Sequence, residues 1–190
     1  MIAPDPQLSE QSPEIERSLA RAAESITPHE FRGLIGDPGL SVLRSAMDCI
    51  KADSISVWLA DTEKQNLVVT HCDPDKEFIG FQQAISEGLI ALVYASEQAL
   101  CENSVYLNAD HSKKVDQMLG QVTCAMIATP FYIAGTMRGV ITAVQLKESD
   151  TAPDPAGFSA RNLNRVGRLS TVLERLVNYR LLTKLLDLEL

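Results

Sequence analysis

The sequence predicts an α+β fold, with a central antiparallel sheet of about six strands, terminal helices on one face and a short helix with long loops on the other. Three observations carry this reading. Apolar residues recur at helical spacing near both ends of the chain, they alternate at period two through several middle segments, and tight turns join consecutive period-two segments. Tight turns connect antiparallel neighbours, whereas a parallel pair needs a long crossover.

Residues 1–11, with Pro4 and Pro6, read as a disordered leader. Residues 12–38 form a helical extension, and 39–190 the main domain with its long C-terminal helix. The first helix is expected at Ser12-Pro13-Glu14, where serine caps and proline suits the first helical position. Ile15, Leu19, Ala22 and Ile26 make its apolar stripe. Thr27-Pro28-His29-Glu30 is a capping box opening a second helix that stops before Gly36, and a third follows from Pro38 to Ala52. From Ser54 the period becomes two: Ile55, Val57 and Leu59 alternate with Ser54, Ser56 and Trp58, and Leu67 to Cys72 pairs back. Phe81 to Ser86, a helix opening at Glu87-Gly88-Leu89, a strand at Ala99 to Glu102 and a short helix at Val115 to Leu119 come next. Thr123 to Ile133 and Met137 to Lys147 form the clearest hairpin, around Ala134-Gly135-Thr136. The last helix starts near Ser159, with Leu169, Leu173, Val177, Leu181 and Leu185 in one row at spacing four.

Composition excludes several function classes. Net charge is −8 with no Lys/Arg stripe to neutralise phosphates, so nucleic acid is not an expected partner. No apolar run approaches the roughly 20 residues that span a bilayer, so membrane insertion is not expected either. The first eleven residues lack the basic and apolar regions of a signal peptide, which places the chain in the cytoplasm. The four cysteines, Cys49, Cys72, Cys101 and Cys124, form no Cys-x-x-Cys pair and read as small buried thiols. His29, His71 and His111 are dispersed, and no phosphate loop or nucleophile elbow occurs.

The layout and several strings resemble the GAF family over roughly Gly39 to Leu186. They are Ser54-Ile55-Ser56-Val57-Trp58-Leu59, then Glu87-Gly88-Leu89-Ile90-Ala91-Leu92-Val93, and Ala128-Thr129-Pro130-Phe131 with Gly139-Val140-Ile141-Thr142-Ala143-Val144. The resemblance implies a pocket between the sheet and the loop-side helices, an unidentified small-molecule ligand, and dimerisation through terminal helices. It also implies a regulatory role of the kind found in bacterial signalling. In the cyclic-nucleotide-binding branch a lysine after the last strand pairs with an acid. Here Lys147 and Phe158 fit that pattern, but Asn162 stands at the acid's place, so the ion pair is not expected. The branch that reduces free methionine sulfoxide uses clustered cysteines, for which Cys101 and Cys124 are the only candidates.

The expected ligand contacts are Ser56 and Trp58 on one strand face, Thr142 as a hydroxyl, and Asp110 with His111 in the polar loop. The expected dimer interface is Ile15, Leu19 and Ile26 with Leu169, Leu173, Val177, Leu181 and Leu185. The favoured function is a homodimeric, non-catalytic sensor that passes ligand state to a separate output protein. A ligand-free dimerisation or adaptor module is the alternative, and a thiol redox enzyme or sensor ranks below both. No cofactor is identified by the sequence.

Overall fold

The computed structural model describes residues 6–149 and 151–187. The expected stretch Met1 to Asp5 and the end of the last helix from Leu188 lie outside the described residues. Helix α1 spans Pro6–Ser25 and α2 Pro28–Ile50; strands β1 (Ser54–Ala60), β2 (Asn66–Asp73) and β3 (Gln82–Ala84) follow. Then come α3 (Gly88–Ser96), β4 (Leu100–Glu102), α4 (Lys114–Leu119), β5 (Val122–Ile133), β6 (Thr136–Lys147) and α5 (Ala160–Leu185). The six strands form one open antiparallel sheet in the order β3-β2-β1-β6-β5-β4.

Local chemistry accounts for most of these boundaries. Thr27 and Glu30 close the expected capping box: the Glu30 amide donates to Thr27 Oγ1 at 3.3 Å, and the Thr27 amide to Glu30 Oε2 at 3.0 Å. Ser159 and Asn162 do the same for α5. The two helices expected around Gly36 run on as α2, broken where Gly36 takes φ +52° and ψ −169°. A Cβ there would lie 2.6 Å from the Arg180 guanidinium, which donates to the Gly33 carbonyl at 3.0 Å and ties α5 to α2. The first helix starts earlier than expected. Pro6, not Pro13, takes the first position, and the Ser12 hydroxyl donates to Glu16 one turn on (3.1 Å) instead of capping. Residues 6–11 are therefore helix rather than a disordered leader.

Alternate residues of the central strands face two different cores. Ile55, Val57 and Leu59 of β1, with Ile141 and Ala143 of β6, pack against α1, α2 and α5. Trp58, Val140, Val69 and Met126 pack on the opposite side with Leu89, Ile90 and Val93 of α3. Gly139 lets β6 pass close to β1, since a Cβ there would meet the Trp58 carbonyl oxygen at 1.9 Å. Buried Arg138 ties β6 to the end of α1, donating to the Glu24 and Ile26 carbonyls at 3.1 and 2.7 Å.

The leucine row of α5 requires a correction. Leu169, Leu173, Val177 and Leu181, with Ile26, are buried in the chain's own core. Leu19 packs against that core and Ile15 is half-buried. Of the expected dimer interface only Leu185 is exposed, because α1 and α2 lie on α5 and consume the apolar surface that looked excessive for one sheet. The apolar side chains α5 leaves in solvent are others: Val172, Tyr179 and Leu186.

Candidate functional site

On the face away from the terminal helices, the sheet, α3, α4 and the irregular segment 103–113 enclose a cavity of about 60 Å³. Its walls are mostly apolar, with Phe78, Leu89, Val115 and Leu119 against the sheet. Period two places the polar strand residues here. Ser56 of β1 stands directly opposite Thr142 of β6, and their hydroxyls are 2.7 Å apart. The Trp58 indole N–H donates to both, at 3.1 Å to Ser56 and 3.3 Å to Thr142. The Trp58 ring meets Phe78 and Phe81 edge-on, with centroids 5.5 and 6.1 Å away. The ring is thus held in an aromatic cluster, and its indole N–H is engaged by the two hydroxyls.

Four of the five expected ligand contacts line this one cavity: Ser56, Trp58, Thr142 and His111. Asp110 does not; it is exposed, and its amide donates to Asn108 Oδ1 at 2.9 Å in a local turn. The acid that meets His111 is Asp116, with His111 Nε2 at 3.0 Å from its Oδ2. Thr123 adds its hydroxyl at 2.6 Å to Oδ1 and its amide at 3.2 Å to Oδ2. Burial pushes the Asp116 carboxyl up, but the His111 and Thr123 hydrogen bonds outweigh it and hold the group below its ordinary value of 3.8. Asp116 is therefore a carboxylate with most of its acceptor capacity in use. Gln121 is different: its side-chain oxygen is buried at the cavity and accepts from nothing among the described residues.

Beside the cavity, the start of α3 is tied to the segment that precedes α4 and to the first residue of α4. Glu87 precedes α3, and its carboxylate accepts from Ser112 at 2.7 Å and from Lys114 at 2.5 Å. Lys114 and Ser112 hold that carboxyl below its usual range. Both members of the ion pair are substantially exposed, so it fixes geometry more than it adds stability. Cys72 also lines the cavity, 3.5 Å from Ser54 Oγ, with burial pushing its thiol up from 9.0.

Outside the cavity, Lys147 has an acid partner where none was expected. Asp154, in the linker before α5, lies 2.9 Å from its ammonium and also accepts from the Tyr106 hydroxyl at 3.0 Å. The lysine sits over the Tyr106 ring, 3.7 Å from its centroid. An ion pair thus forms despite Asn162, which serves the α5 cap instead. Among the described residues no helix is long and apolar enough to cross a membrane, and no group of three or more His, Cys, Asp or Glu could hold a metal.

This layered α+β fold, a six-stranded antiparallel sheet with helices on both faces, matches a large class of solved structures. One is the GAF domain of a phosphoenolpyruvate-protein phosphotransferase from Coxiella burnetii, with TM-score 0.62 and 18% identity, covering 90% of this chain and 95% of that one. Its counterpart from Acinetobacter gives 0.60 at 16% identity, covering 89% and 94%. The free methionine-R-sulfoxide reductase of Neisseria meningitidis, solved with its substrate, gives 0.57 at 16% identity over 95% of each chain. The chain has the GAF-domain fold. No protein-family model matches the sequence, and no curated protein matches it.

Proposed function

We propose that this chain is a small-molecule sensory or regulatory domain of signalling type, which dimerises through its terminal helices and passes the state of its cavity to a separate protein in the cytoplasm. The observation that carries this reading is the shared use of β1 and β6. Ser56 and Thr142 line the cavity, while their neighbours Val57, Ile141 and Ala143 contact the core built with α1, α2 and α5. A ligand that moves either strand must repack the helical side, and close-packed interiors respond by switching between discrete arrangements. The solved GAF domains of a sensor histidine kinase and of DevS add an analogy of fold.

For the dimer surface, Val172, Tyr179 and Leu186 replace the buried row. Val172 and Tyr179 are exposed on α5 seven residues apart, the spacing of a helix–helix seam, and exposed Leu186 at its C-cap lies seven residues further on. The function is non-catalytic in this reading. Burial raises the thiols of Cys72, Cys101 and Cys124, which disfavours the nucleophilic thiolate that a redox enzyme needs.

The adaptor alternative has its own support, since about 60 Å³ is far below the roughly 300–1,000 Å³ of drug-sized ligand sites. Native mass spectrometry of freshly purified protein separates the two. The sensor reading expects a dimer that carries, or takes up, a small mass, and Val172→Glu with Tyr179→Glu should give a folded monomer. A dimer that takes up no small molecule supports the adaptor. A monomeric wild-type chain overturns both.

A further inference from the structure

Resting on the reading of this cavity as the ligand site, we propose that its ligand is a small uncharged molecule with a hydrogen-bond-donating group and a short apolar end. Charge is the first argument. Among the described residues lining the cavity none is Lys or Arg, and the ionisable ones are Asp75, Asp116, His111 and Cys72. An anion entering here gives up its hydration without a side-chain cation to replace it. The start of α3 borders the cavity, but the residue at its N-cap, Glu87, is itself a carboxylate, engaged by Ser112 and Lys114 rather than by the helix amides. Asp116 offers a cation little, because its buried carboxylate already accepts from His111 and twice from Thr123, which leaves Asp75 as the one lining carboxylate a cation could meet.

Hydrogen-bond accounting supplies the second argument. The hydroxyls of Ser56 and Thr142 and the indole of Trp58 bond to one another, with one hydroxyl proton left to donate to a ligand acceptor. Gln121 Oε1 is the acceptor left over at this cavity. An orphaned buried acceptor is costly, and a ligand N–H or O–H removes that cost. The first turn of α3 borders the same cavity through Gly88, Leu89 and Ile90, and helix N-terminal amides lack intrahelical acceptors. A primary amide, with a carbonyl oxygen beside its N–H, therefore offers both complements. Size sets the third limit. An engineered cavity of about 150 Å³ holds benzene, so one of about 60 Å³ admits only a few heavy atoms unless α4 moves.

Acetamide, acetate and acetamidinium test this, being nearly identical in shape and different only in charge. The reporter is the indole N–H resonance of Trp58, the sole tryptophan of the chain, followed by NMR in the full-length protein. Acetamide should shift it saturably in the millimolar range, as expected for a four-heavy-atom ligand, with both ions at least about tenfold weaker. Gln121→Met should weaken acetamide about tenfold, and Gln121→Glu should turn the preference towards acetamidinium. Unchanged indole and methyl spectra of each unliganded variant establish that it is folded. Acetate or acetamidinium matching acetamide in the wild type overturns the uncharged class while leaving the cavity a ligand site. If none of the three moves the indole at about 100 mM, where even a weak complex of this size is populated, both the class and the sensor reading fall.

Discussion

The two faces of the sheet are built from the same strands and obey different rules. Towards the helices, β1 presents Ile55, Val57 and Leu59 and β6 presents Ile141 and Ala143, all buried among leucines and the edge-on pair Phe31–Phe131. Towards α3 and α4 the same two strands present Ser56, Trp58 and Thr142, which bond to one another beside a void. The first face is packed chiefly by apolar side chains and gains mainly from density, although buried polar groups such as His71 also lie there. On the second, a hydroxyl network, a buried carboxylate and an empty volume persist at a cost in stability. The difference teaches where to look for each property: folding energy resides mainly under α5, and responsiveness resides in the cavity.

That contrast is broken most severely by truncation on the helix side. Leu173 is fully buried between α5 and the sheet, so Leu173→Ala should cost about 3 kcal/mol or more through lost transfer energy and the cavity it leaves. Chemical denaturation measures it. A loss under about 1 kcal/mol would mean that the helical layer is loosely packed, contrary to its burial.

Asp116 sharpens the other side of the comparison. Its carboxyl is depressed below 3.8, so the stability it contributes is present above the ordinary carboxylate range and disappears as pH falls through its lowered value. Asp116→Asn should therefore cost about 1–2 kcal/mol at neutral pH by weakening the hydrogen bonds from Thr123 and His111. The gap from wild type should shrink in acid, where both proteins carry a neutral group. Equal gaps at pH 7 and in acid would assign the effect to shape rather than charge.

How much of this was legible depended on whether a regular period reached the residue in question. Ser56 and Trp58 could be placed on one face because period two runs through β1, whereas Thr142 joins them only because β6 pairs with β1, which no local pattern states. The starts of α2 and α5 were legible from Thr27 and Ser159, whose side chains act within one helical turn. Asp116 and Gln121 line the cavity and Asp110 does not, which was not legible because segment 103–113 has no regular spacing and α4 is too short for its period to say which side chain turns inward. The α5 row was read correctly as an apolar stripe, but periodicity states that a stripe is buried and not against what. The tertiary position of α1 and α2 decided that question, and it lies beyond any local pattern.

The smallest expected effect lies at the boundary of the two faces, at His71. It stands opposite Val57 on the side of the sheet that packs against α2, nearly fully buried, and neither ring nitrogen has a hydrogen-bond partner among the described residues. Burial lowers its pKa from 6.5; Asp73 opposes this, while Arg32, Arg44 and Lys76 reinforce it. The sign follows from the protons: as pH falls below 6.5 the unfolded chain protonates this ring and the native chain resists. The stability associated with the neutral ring is thus complete above that pH and is lost progressively down to the lowered native value, at up to about 1.4 kcal/mol per pH unit. His71→Leu removes both the titration and two unsatisfied nitrogens, so it should alter stability by no more than about 1 kcal/mol at pH 7.5. Relative to wild type, the variant should gain as pH is lowered to 5.5. Denaturation midpoints of the two proteins measured across that interval decide the matter, and parallel curves would show that His71 finds a partner for its proton when the chain is folded.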